Sequence, residues 1–193
     1  MHTLFTKPWA IILVIVSILT LWTIGTYNHF VSLHGGVKAA WSTVEVQEQR
    51  RMDLIPNLVS TVKGAANFEK DTFKEVTAAR SAWAQAGSLG DRAAQIKAAG
   101  TFDSALSRLL VTVEAYPQLQ ATQAFRDLMT QLEGTENRIT VARKDYNDAT
   151  FAYNVAIHRL PGMILASLMG FSDEQLFKAR EGADVPPVVD FAS

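Results

Sequence analysis

The side chains best equipped for chemistry in this sequence are four histidines, two carboxylate pairs and a charged run that ends at Asp53. Histidine is the usual proton carrier near neutral pH and a common metal ligand. His2, His29, His34 and His158 are scattered, and none stands in the Glu-x-x-His spacing that a di-iron helical bundle uses. His-Glu-x-x-His, P-loop and dinucleotide fingerprints are missing too. Glu133 with Glu136, and Asp145 with Asp148, fall three apart on a helix face, but solvated helices show the same spacing and no imidazole completes a ligand set. No residue is therefore assigned a catalytic, cofactor-binding or metal-binding role, and no small-molecule substrate is expected. Cysteine is absent, which removes disulfides, thiolate zinc sites, iron–sulfur ligation and a cysteine nucleophile. The 18 Lys and Arg against 19 Asp and Glu leave a net charge of −1, without the basic excess that attracts nucleic acid.

The charged run is the most informative stretch. From Glu45 to Asp53 only Val46 and Met52 are apolar, whereas Trp41 and Val44 precede it and Leu54, Ile55, Leu58, Val59 and Val62 follow. A helix through these residues loses its apolar stripe for two turns. One reading is a solvated stalk, with Glu45 to Gln49 and Gln47 to Arg51 as ordinary i,i+4 pairs worth about 0.2–0.5 kcal/mol each. The other is that Arg50, Arg51 and Asp53, beside Pro56 and Asn57, make polar contacts to a neighbouring helix or subunit and fix its register. Charge runs are more often solvated, so the stalk is the default.

These residues follow an element that places them near a membrane. Trp9 to Tyr27 carries no charge, and at ~1.5 Å per residue a helix of this length nearly matches a hydrocarbon core of ~30 Å. Trp9, Trp22 and Tyr27 fall towards its ends, where aromatic rings prefer the headgroup level. A cleaved signal peptide would have a shorter apolar run and a small-residue site, for which Thr23-Ile24-Gly25 is a poor substitute, so an uncleaved anchor is expected. Lys7 lies before the span, and the first basic residue after it is Lys38; this leans towards a cytoplasmic N-terminus and an extracytoplasmic domain.

Beyond the anchor the chain reads as helix. After Pro117, alternating three- and four-residue steps land on Ala121, Phe125, Leu128, Leu132, Thr135, Ile139, Ala142, Tyr146, Ala149, Tyr153, Ala156 and Leu160. Such a seam needs a partner helix, and its heptad spacing implies a left-handed, bundle-like crossing. Tyr146-Asn147 and Tyr153-Asn154 recur seven apart, which places both tyrosines on the seam as core residues with hydroxyls at its edge. A second run puts Phe102, Ala105, Leu106, Leu109, Leu110 and Val113 on one face and stops at Tyr116-Pro117. Gly87 and Gly90 mark a turn. The stretch between the anchor and that turn is a long first helix, with a kink or a restart expected at Pro56 and Asp53 near the new cap.

The segment Pro161–Phe171 is almost wholly apolar and too short to span; Ser172-Asp173-Glu174 looks like a helix start after it. It either caps the bundle or touches the bilayer. An even number of long helices would return it to the membrane, yet it carries no Lys or Arg of the kind interfacial helices use, which favours the cap. The tail from 181 to 193 reads as a loose acidic extension.

At this point several segments coincide with one family. AWSTVEVQEQRRMDLIPNLVSTVKG from Ala40, TAAR at Thr77–Arg80, EAYPQLQA at Glu114–Ala121, Phe125, Glu136-Asn137 and ARKDYNDATFAYN at Ala142–Asn154 resemble, in order and spacing, the LemA family of bacterial membrane proteins. The resemblance implies a transmembrane helix, an antiparallel helical bundle and no established enzymatic activity. Departures are Glu45 where Asp is usual, Met52 for an aromatic, and Ala66-Asn67-Phe68-Glu69 without the usual His.

The expectation is an all-α chain, with an N-terminal transmembrane helix followed by an antiparallel bundle of three to four long helices. Residues 1–28 would be the anchor, 29–36 a juxtamembrane linker, 37–180 the bundle and 181–193 the tail. Phe125, Leu128, Leu132, Ile139, Tyr146, Tyr153 and Leu160 would form the bundle seam. The expected role is a single-pass scaffold in a bacterial inner membrane, holding the bilayer through 9–27 and acting in membrane organisation or envelope stress by self-assembly or by recruiting a membrane protein. A lipid-engaging remodelling protein using 161–171 is the alternative, and a metal-dependent enzyme a more distant one.

Overall fold

A computed structural model describes residues 8–63 and 70–178; the acidic tail and the Ala66–Glu69 departure lie outside them. Among the described residues the chain is all helix and turn: α1 (Pro8–Lys63), α2 (Lys70–Ser88), α3 (Arg92–Glu114), a short α4 (Pro117–Gln120), α5 (Gln123–His158) and α6 (Gly162–Leu168).

α1 contradicts two expectations. Residues 29–36, expected as a linker, are helical, and of the kink or restart expected at Pro56 the restart does not occur. Proline removes a donor and clashes with the preceding turn, at ~3 kcal/mol. Here Pro56 is exposed, while Met52, Ile55, Leu58 and Val62 are buried on both sides of it, so packing along the opposite face carries the helix through. Asp53 is accordingly a mid-helix residue, accepting a hydrogen bond from Gln49 Nε2 at 2.7 Å, and not a cap.

The turn expected at Gly87–Gly90 is present. Gly90 has φ +67°, which favours glycine, and Asp91 caps α3 by accepting from the Ala94 amide at 2.9 Å. Pro117 opens α4 at a position where its missing N–H costs nothing, and the Thr122 hydroxyl accepts from the Phe125 amide at the start of α5.

The described chain divides into two compact units, one holding residues up to Thr43 with Lys144–Leu176, the other Val44–Arg143 with Phe177 and Lys178. In the second unit α2 and α3 form an antiparallel hairpin. Phe73, Val76, Ala79, Trp83 and Ala86 are buried on one helix, and Ala98, Ala99, Phe102, Ala105, Leu109 and Val113 on the other. Each large buried side chain contributes roughly 1.5–3 kcal/mol of hydrophobic stabilisation. Contacts of Arg51 with Asp103 on α3 and Glu136 on α5 complete a four-helix arrangement in which α5 runs against α1.

In the first unit α1 and α5 are again antiparallel, with Trp41 edge-on to Tyr146 at 5.1 Å and His34 stacked on Tyr153 at 5.2 Å. After α6 the chain does not begin a helix at Ser172, as expected; residues 171–178 have no regular structure. The reason is a better set of partners. The Tyr153 and Tyr146 hydroxyls donate to the carbonyls of Ser172 and Gln175 at 3.0 and 2.6 Å. Asn154 exchanges two hydrogen bonds with the Glu174 backbone, at 2.9 and 3.0 Å. This extended strap explains the repeated Tyr-Asn pattern better than a helical continuation could. Of the expected seam, Phe125, Leu128, Leu132, Ile139, Tyr146 and Tyr153 are buried, but Leu160 is 75% exposed. α5 ends at His158 and its last buried residue is Ile157, one position past the expected Ala156, so Leu160 lies beyond the register.

Candidate functional site

The charged run on α1 is not a gap in the buried stripe. Counting in three- and four-residue steps from Trp41 lands on Val44, Glu48, Arg51, Ile55, Leu58 and Val62, all buried. Glu48 is 0% and Arg51 1% exposed, so the solvated-stalk reading is wrong for these two positions. Among the other residues singled out in this stretch, Arg50, Asp53, Pro56 and Asn57 are exposed on α1.

Arg51 is held from three helices. Its Nη2 donates to Glu48 Oε2 at 2.7 Å, and its Nη1 lies 2.7 Å from Glu136 Oε2 on α5 and 2.8 Å from Asp103 Oδ1 on α3. The last approach is an ion pair off the line of a hydrogen bond. Arg143 on α5 closes the ring, with Nη2 2.6 Å from Glu48 Oε1 and Nη1 3.0 Å from Asp103 Oδ2. Glu48 and Asp103 thus each present one oxygen to each arginine. The guanidinium of Arg51 lies 4.8 Å over the Phe102 ring and that of Arg143 4.9 Å over Phe177. Aromatic faces on one side and carboxylates at the edge suit a planar, weakly hydrated cation better than they would suit lysine.

Burial works against the Arg143 charge, but the carboxylates of Glu48 and Asp103 outweigh it and hold its pKa above the usual arginine value. Charges this deep in a bundle must be matched, because desolvation costs several kcal/mol per ion. The result is a network of five ion pairs that joins α1, α3 and α5. A recess of about 430 Å³ opens beside it, with Arg51, Asp103, Glu133 and Glu136 among its polar walls and Leu106, Leu110, Met129 and Leu132 among its apolar ones. Ser107 also lines it, and its hydroxyl donates to the Asp103 backbone carbonyl at 2.8 Å. Guanidinium groups already occupy the place a metal would take between Glu48 and Asp103. Among the described residues no group of three or more His, Asp or Glu is arranged to hold a metal ion.

Glu48, Asp103, Glu136 and Arg143 were not singled out as partners of Arg51 in the sequence. The register from Trp41 could have found Glu48, since it falls on the same steps as Arg51. Two of the four histidines make isolated pairs, His34 Nε2 with Glu174 Oε1 at 3.0 Å and His158 Nε2 with Asp173 Oδ1 at 2.8 Å, and His2 lies outside the described residues. Asp148 pairs with Lys144 on the exposed face of α5 at 2.6 Å, which raises the lysine pKa.

At the N-terminal end, α1 contains a window of mean hydropathy 2.2 with no residue buried, and Trp9, Trp22 and Tyr27 are exposed. Among the described residues it is the one helix long and apolar enough to cross a membrane, as fits a single-pass membrane protein.

Similarity to known proteins agrees with this architecture. The chain is 31% identical to magnetosome protein MamQ 2 of Paramagnetospirillum magneticum over 183 residues, covering 83% of this chain and 67% of the relative. It is 32% identical to magnetosome protein MamQ of Magnetospirillum gryphiswaldense over the same shares. Protein LemA of Metamycoplasma hominis is 22% identical over 158 residues, which cover 82% of this chain and 71% of that protein. The sequence pattern of the LemA family matches residues 40–191, so the ion network, the hairpin and the Tyr-Asn strap all lie within the matched region and the chain belongs to the LemA family.

Proposed function

We propose that the chain is a non-enzymatic scaffold of a bacterial inner membrane, anchored by residues 9–27 and working through helix–helix self-assembly or recruitment of a membrane protein partner in membrane organisation or envelope stress. The observation that carries this reading is α1 itself. One unbroken helix supplies both the exposed uncharged segment and the two buried charged residues on which α3 and α5 converge. The polar groups of that convergence are consumed in holding helices in register, a structural use of ion pairs. Lys7 before the span favours a domain on the extracytoplasmic side. The relatives named as magnetosome proteins support a role in organising a cell structure over one in a soluble reaction.

A surface for assembly is available on α5, where Phe151 is 64% exposed and Val155 lies one turn further along the same face. A photo-crosslinking side chain placed at Phe151 of the full chain in the membrane of its native host should trap a second copy or one defined membrane protein. The same group at Lys97, exposed on α3, should trap neither. Equal yields at the two positions, or none at either, would refute assembly through this face.

A further inference from the structure

α6 is built with its small residues inward and its large ones outward. Only Gly162 and Ala166 are buried, while Met163, Ile164 and Leu168 are 43%, 61% and 78% exposed, with Leu160 and Met169 flanking them at 75% and 45%. A water-facing helix would show the reverse pattern. The glycine is what allows close approach to α1: a Cβ at Gly162 would stand 3.0 Å from Phe30 Cζ and 3.6 Å from Thr26 Cγ2. Phe171 then packs on the rings of Tyr27 and Phe30, at 5.9 and 5.4 Å, and the strap that follows is hydrogen-bonded to α5. α6 is therefore fastened at both ends with its apolar face outward.

The level of that face identifies what covers it. Thr26 falls at the end of the uncharged run, and Leu160 and Pro161 share the walls of a recess with Trp22, five residues inside Tyr27. Five residues of helix are ~7 Å. Gly162 and Phe171 meet α1 at Thr26, Tyr27 and Phe30, so α6 stands where the anchor ends, the level at which interfacial helices bury an apolar face ~5–10 Å into the headgroup and acyl boundary. Arg159, exposed at the recess, is placed to reach a lipid phosphate while its stem lies along apolar surface.

We propose that Leu160–Met169 is a second membrane contact, an interfacial elbow whose ligand is the phospholipid layer of the leaflet where α1 leaves the bilayer. This rests on residues 9–27 spanning that bilayer, and the test separates the two claims.

The chain has no cysteine, so single cysteines report one position each. Ile164→Cys, Leu168→Cys, Leu19→Cys and Asp148→Cys variants of the full chain, each carrying a fluorophore, would be reconstituted in vesicles of phosphatidylethanolamine and phosphatidylglycerol containing lipid-borne quencher. The expected result is quenching at 164 and 168 of roughly half that at 19 or more, with 148 close to the unquenched level. Quenching at 19 but not at 164 or 168 would overturn the elbow and leave the span standing. No quenching at 19 would overturn the span, and the elbow with it. Label-to-label transfer between copies at 164 without lipid quenching would assign the face to a second copy of the chain and likewise overturn the proposal.

Discussion

α1 and α5 meet in both units of this protein by different chemistry. In the unit around Glu48 and Arg51 they are joined by ion pairs of the buried Glu48 and Arg51 with Arg143 and Glu136, and α3 adds Asp103 to both arginines. In the unit around Trp41 and His34 they are joined by ring contacts and by neutral hydrogen bonds to the backbone of the strap. Apolar contacts are forgiving, and a neutral hydrogen bond that loses one partner strands only an uncharged group, at about 1–3 kcal/mol. A charge ring is not, because loss of one member strands the rest. Under the proposed function the first kind of joint mainly stabilises, while the second specifies which helices meet and in what register.

The sharpest way to break this contrast is Arg51→Ala, which leaves the buried Glu48 with only Arg143 as an ionic partner. It should destabilise the full chain by about 3–5 kcal/mol in denaturant unfolding in micelles. A loss no greater than that of a surface change would remove the distinction between the joints. Tyr153→Phe, which deletes one neutral hydrogen bond to Ser172, should cost about 1 kcal/mol and release the strap to faster amide exchange around Ser172–Gln175. Replacing Glu48, Arg51, Asp103 and Arg143 together by leucine or methionine should leave stability near or above the starting value, since matched apolar side chains often equal a buried ion network. If the fourfold variant is stable but yields several oligomeric species by size and crosslinking, register is what the ring supplies; a single species identical to the parent would argue against that. Lys97→Ala, an exposed control, should stay within about 0.5 kcal/mol of the parent.

The strap adds a dependence on pH. Burial, followed by the charges of Glu174 and Asp173, raises the Tyr153 pKa above 10.0. An acid whose folded pKa is raised contributes stability that is complete below its unfolded pKa and is lost as pH rises through the folded value. The strap should therefore hold through neutral pH and loosen on the alkaline side of 10.0, with tyrosinate absorbance and strap exchange rising together. Tyr153→Phe should abolish that coupling.

Much of the architecture was legible in the residues. The α5 seam from Phe125 to Tyr153 could be read from spacing, because side chains three and four apart share a face whatever surrounds the helix. The same arithmetic failed at Leu160 because it says nothing about where a helix stops. At Pro56 a sound local rule was overridden by packing of Ile55, Leu58 and Val62 on the far face. Arg51 was recognised as a candidate, while its neighbours in the ring were not. Glu48 lies 95 positions from Arg143, and Arg51 85 from Glu136, so no local pattern links them.

What the sequence by itself determined is therefore the set of faces: an uncharged run of membrane length, helices with apolar stripes and the turns between them, each set by periodicity and backbone chemistry over a few residues. What only the tertiary structure decided is the fate of the exceptions on those faces. Whether Glu48 and Arg51 meet water or one another, and whether the apolar side chains of α6 turn inward or out, depends on partners distant in the chain. Desolvation is tolerated only where such partners supply matching charge or close packing, and their arrival is a property of the folded whole.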